Sequence, residues 1–151
     1  MMLLSSPTPA TQVISPQIEQ KRWEYRAVRQ TSALTEEVRQ FIDWLKAIEV
    51  HLKEYDAIWE YLLKFPGIMK VLGIAVQATR KYFDSAPVTL EVYRDPEIDD
   101  RYLMLSVKVN AYDEAVEQRF AAAEAAYINL LANEEGWVQL SAKMVDLEDG
   151  V

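Results

Sequence analysis

Four carboxylates fall within six residues at Asp95, Glu97, Asp99 and Asp100. Oxygen donors at alternate loop positions are what a hard cation such as calcium takes. The twelve-residue calcium loop, however, needs glycine at its sixth position and a bidentate glutamate at its last. Here those positions hold Asp100 and Ser106, and Pro96 stiffens the start. An acidic solvated turn is the reading these residues favour, with a metal-dependent or hydrolytic centre on Asp95, Glu97, Asp99 and Asp100 as the alternative. His51 is the sole histidine, so no histidine pair can hold zinc, and His51-Leu52-Lys53-Glu54-Tyr55 does not match the zinc-protease helix motif. Glu54, three residues on, reaches it only on the surface of the expected helix, and with no positioned partner for a general base a plain surface or half-buried histidine is the favoured reading. The four glycines at 67, 73, 136 and 150 form no phosphate cradle. No serine sits in a nucleophile elbow. No catalytic, cofactor-binding or metal-ligating residue is therefore assigned, and no cofactor is expected.

Those residues must be positioned by elements that periodicity reveals. After Thr35, a capping type followed by Glu36 and Glu37, apolar residues recur at Leu34, Val38, Phe41, Leu45, Ile48, Leu52, Tyr55, Trp59 and Leu62. Steps of four and three make a heptad stripe and predict one helix of about 28 residues, about 40 Å long. Phe65-Pro66-Gly67 ends it, and Pro66 opens a second, nearly all-round apolar helix running to about Phe83. Val88, Leu90 and Val92 alternate with polar neighbours, as do Leu103, Leu105, Val107 and Val109, which predicts an antiparallel hairpin around the acidic turn. Asn110 or Asp113 caps a third helix with Val116, Phe120, Ala123, Tyr127 and Leu130 inside. A last strand runs from Trp137 to about Val145.

These elements give an α+β fold, with N-terminal helices packed on a small antiparallel sheet. A crossover helix that steps over the first hairpin strand predicts the strand order 2-1-3. Residues 1–20, with three prolines and no charge before Glu19, are expected to be a disordered tail, and residues 21–151 one domain. The stretch 21–30 fits strand or helix; the alternation of Trp23, Tyr25 and Ala27 tips it to strand. Met1-Met2-Leu3-Leu4 is too short for a signal core.

The segment Leu90-Glu91-Val92-Tyr93-Arg94-Asp95-Pro96-Glu97 is followed by the strand Tyr102–Val109, the helix opening at Tyr112-Asp113-Glu114 and a closing strand from Gly136-Trp137. Over about residues 50–146 this resembles a family of small uncharacterised prokaryotic proteins. The resemblance implies the order of the elements and brings no activity and no functional residue.

The 151 residues carry a formal net charge of −8. The charge is uneven: residues 84–151 hold five Lys/Arg against fifteen Asp/Glu. That half repels phosphate backbones, so no nucleic-acid partner is expected; the basic run Lys21, Arg22, Arg26 and Arg29 reads as a solvated face. Cysteine is absent and no stretch is apolar enough to span a bilayer, so a cytoplasmic protein with no membrane partner is expected. A helix of about 28 residues outreaches a domain of this size, whose radius should be about 15 Å. Together with Trp44, Trp59 and Tyr61, that points to a non-enzymatic interaction module, a homodimer through helix one. The alternative is a regulatory or antitoxin-like component binding a basic protein with its acidic half.

Overall fold

The computed structural model describes residues 16–97 and 100–145. Residues 1–15 of the expected tail lie outside that range, as does Asp99 of the acidic turn. The chain falls into two compact units, residues 1–36 and 37–151.

Helix α1 spans Pro16–Ala47, so residues 21–30 are helical and the strand expected there does not form. Proline at the first position and the helix-forming run Glu19-Gln20-Lys21-Arg22 explain why: local propensity outweighs a three-residue alternation. From Glu37 onward the helix belongs to the second unit, which continues with β1 (Val50–Leu52), α2 (Tyr55–Lys64), α3 (Ile68–Tyr82), β2 (Val88–Asp95) and β3 (Asp100–Val109). Helix α4 (Glu114–Ala125), a 3-10 helix (Ile128–Asn133) and β4 (Val138–Met144) complete the α+β fold.

The expected single helix across residues 34–62 is two helices with a strand between them. Glu49 and Glu54 take left-handed backbone angles, φ 64° and φ 57°, and bracket β1. The five residues Ile48-Glu49-Val50-His51-Leu52 also alternate apolar and polar, and β1 is buried, exposed and half-buried in turn. A stride of 3.5 and a stride of two coincide over so short a run, and the sheet edge decided between them. Arg80 holds the break in place. Its guanidinium donates to the carbonyls of Ile48 and Glu49, each at 2.8 Å, and to that of Ala86 at 2.9 Å. The end of α1 and the lead-in to β2 are thereby tied to α3 by charge-assisted bonds.

The sheet order is β1-β2-β3-β4, with both outer pairs parallel and the central hairpin antiparallel. The expected order 2-1-3 is wrong because β1 already occupies the free edge of β2. The strand after α4 therefore adds beside β3. Register builds apolar rows across the sheet: Val50, Val88, Val107 and Ala142 in one, Leu52, Leu90, Leu105 and Leu140 in the next. The core is completed by Val38, Ile42 and Leu45 of α1, Ile58 and Leu62 of α2, and Ile68, Leu72 and Val76 of α3, all fully buried. Each such side chain contributes about 1.5–3 kcal/mol through burial.

Asp113 caps α4, its carboxylate accepting from the Val116 N–H at 2.9 Å. The expected third helix does not reach Leu130 as α-helix. The tighter 3-10 turn changes the phase, so Leu131 is buried and Leu130 exposed. Tyr127 stays inside, where its hydroxyl accepts from the Leu140 N–H at 3.0 Å. That N–H points off the sheet, and the phenol satisfies it.

Candidate functional site

The sequence-derived candidates do not converge. Asp95 and Asp100 face each other as the last pair of the hairpin. The Asp95 carboxylate is used locally, accepting from the Glu97 N–H at 2.9 Å, which is the geometry of a polar turn. His51 lies mid-strand in β1, exposed and in register with Thr89, not mid-helix as expected. Its side chain is on the opposite sheet face from the buried rows, far in register from the hairpin turn. Trp44, Trp59 and Tyr61 also part company. Trp59 stacks on Tyr55 with centroids 6.3 Å apart, and Lys46 sits 4.8 Å above the Tyr55 ring. Tyr61 is buried, and Trp44 lines a groove with Phe41.

The groove runs between α1 and α3. Val38, Ile42 and Leu45 turn one face of α1 into the core, which leaves Phe41 and Trp44 on the flank, half-buried. Their rings meet at 5.6 Å. On α3, Gly73 presents no side chain; a Cβ there would touch Phe41 at 3.7 Å and Trp44 at 4.0 Å. Both rings thus lie against α3 with one side uncovered. Met69 and Ile74 complete the apolar floor. Glu37 stands on the α1 wall and Lys70 on the α3 wall, both exposed. Among the described residues neither is in an ion pair within the chain. Trp44 is among the aromatic residues that the sequence marks for an interface, while its ring partner Phe41 is a position of the heptad stripe. Gly73, a glycine inside an apolar helix, was the available signal for a close approach.

A second concave region lies between α2 and the hairpin, with a cavity of about 460 Å³ lined by Ala57, Glu60, Tyr61, Lys64, Phe65, Val92, Asp100 and Arg101. Tyr61 is its fixed point. The phenol oxygen accepts from the Trp137 N–H at 3.0 Å, and the ring packs on Phe65 at 4.9 Å. Burial raises the phenol above its usual range, and the Asp100 charge adds to this against the hydrogen bond from Trp137, which lowers it. The hydroxyl keeps its proton at neutral pH and can donate.

The sheet face opposite the buried rows carries a pair of salt bridges in which Lys53 and Lys143 approach Glu91 at 3.4 and 3.7 Å. Beside it the Ser106 hydroxyl is buried with no hydrogen-bond partner among the described residues. No group of three or more metal-ligating side chains gathers among the described residues. No helix there is long and apolar enough to cross a membrane. No family model, curated protein or solved structure matches the chain.

Proposed function

We propose that the chain is a non-enzymatic protein-interaction module that pairs with a second copy through the α1/α3 groove. The observation that carries this reading is the groove's makeup: two half-buried aromatic rings beside a glycine, with one acid on one wall and one base on the other. A two-fold interface brings a patch against itself, so it must be its own complement. Apolar floor meets apolar floor, and Glu37 of each copy meets Lys70 of the other. Trp and Tyr are the residues that most often carry interface energy, and Trp44 is central here. The long helical stripe no longer supports a dimer, because its members Val38, Leu45 and Leu62 are core; the flank of α1 takes its place. The acidic second half supports a protein rather than a nucleic-acid partner. The absence of cysteine suits a reducing compartment, and we place the module in the cytoplasm.

Light scattering and circular dichroism on the same samples test the proposal. The wild type should self-associate with a Kd below about 100 µM, and Trp44→Ala should weaken association by about 30-fold, an interface loss of about 2 kcal/mol. The helical signal should be unchanged. A wild type that remains monomeric at that concentration overturns the proposal.

A further inference from the structure

We propose that the cleft between α2 and the hairpin binds a small zwitterion with an apolar body, of the class of a free α-amino acid with an aromatic or branched side chain. Its volume of about 460 Å³ falls in the range of small-molecule sites. Its lining is charged yet balanced: Glu60 and Lys64 from α2, Asp100 and Arg101 from β3. A ligand of net charge gains little from such a lining, whereas one carrying both signs finds a partner for each.

The internal pairing that would make this lining ordinary surface is not made. Glu60 and Lys64 have the spacing and order that favour a helix ion pair. Among the described residues, neither is in one. Lys64 instead places its ammonium 5.4 Å above the Phe65 ring. Asp100 accepts from the Arg101 backbone N–H at 3.0 Å with one oxygen, which leaves the other. The Arg101 guanidinium has no carboxylate partner among the described residues, and its planar fork suits a carboxylate. The ligand's carboxylate takes Arg101 and the protonated Tyr61 hydroxyl. Its ammonium takes Glu60 and the remaining Asp100 oxygen. Its side chain lies on Phe65 and Val92.

Titration of the full chain with phenylalanine, N-acetylphenylalanine and phenylalaninamide, followed by calorimetry and by amide chemical shifts, tests the site. Phenylalanine should bind with a Kd of about 1 mM or tighter, and blocking either charged end should weaken binding at least about tenfold, the effect of one lost charged contact. Arg101→Gln and Glu60→Gln should each weaken phenylalanine by a similar factor while the melting temperature stays put, since both residues are exposed. Absence of shifts around Tyr61 and Arg101 at tens of millimolar phenylalanine overturns the proposal. So does equal binding of the three compounds, or unchanged binding in both variants.

Discussion

The groove is shallow and mostly apolar with two rim charges, whereas the cleft is deeper and holds four charges around a phenol. The difference lies in what fixes each. The groove rests on shape: two rings lie beside Gly73, where no side chain stands up from α3. The cleft rests on hydrogen bonding: Tyr61 anchors the entry to β4, and Tyr127 anchors the same strand three residues on. A surface made by shape offers area to a large partner. One made by polar anchors offers directed contacts to a small one. Local chemistry, rather than concavity, separates the two uses.

Alkali should break the anchored region most. Burial holds the Tyr127 phenol up at about 12, and Tyr61 is raised in the same direction. An unfolded tyrosine titrates near 10. The native state therefore holds these protons more tightly than the unfolded chain. The contribution of Tyr127 is complete below pH 10 and is lost as pH rises from about 10 to about 12, and that of Tyr61 falls in the same direction. Denaturant midpoints across that window should fall steeply in the wild type and less steeply in Tyr127→Phe, with amide exchange at Trp137 and Leu140 rising first. Parallel pH curves for the two proteins would show that the anchor is energetically idle.

Two glycines sharpen the contrast at a smaller scale. Near the cleft, a Cβ on Gly136 would lie 3.1 Å from the Cβ of Phe65 and 3.3 Å from that of Ile68, atoms held by their own backbones. Gly136→Ala should cost about 1–3 kcal/mol through overpacking. At the groove, a Cβ on Gly73 meets only ordinary contacts, so Gly73→Ala should stabilise the fold by about 1 kcal/mol through helix propensity. Chemical denaturation of the pair checks both signs; two losses of similar size would mean that the groove is as tightly packed as the interior.

Where burial alternated cleanly, the sequence was legible. Val88, Leu90 and Val92 against Leu103, Leu105 and Val107 form the hairpin that periodicity demands. Asp113 caps α4 with the bond its side chain is built to make. Legibility failed where two periods overlap. Ile48 to Leu52 satisfies a heptad and an alternation alike, and the deciding partner, Val88 to Leu90, lies about forty residues away. The strand order failed with it, since an unseen β1 leaves the wrong edge open. The sites were less legible still. Tyr61 reads as an interface aromatic until Trp137, 76 residues on, supplies its hydrogen bond. Arg80 reads as a basic residue near a helix end, although it clasps the carbonyl of nearby Ala86 together with those of Ile48 and Glu49, more than thirty residues away.

Self-complementarity of the groove is the claim most open to direct test, and a charge-swap cycle addresses it. Glu37→Lys and Lys70→Glu each set like charges across the two-fold axis twice, at about 0.5–1 kcal/mol per contact, so each should weaken dimerisation by about tenfold. In the double variant Glu37→Lys with Lys70→Glu, opposite charges meet again, and sedimentation equilibrium should return a Kd close to that of the wild type. A double variant as weak as, or weaker than, either single one would contradict a symmetric α1/α3 interface.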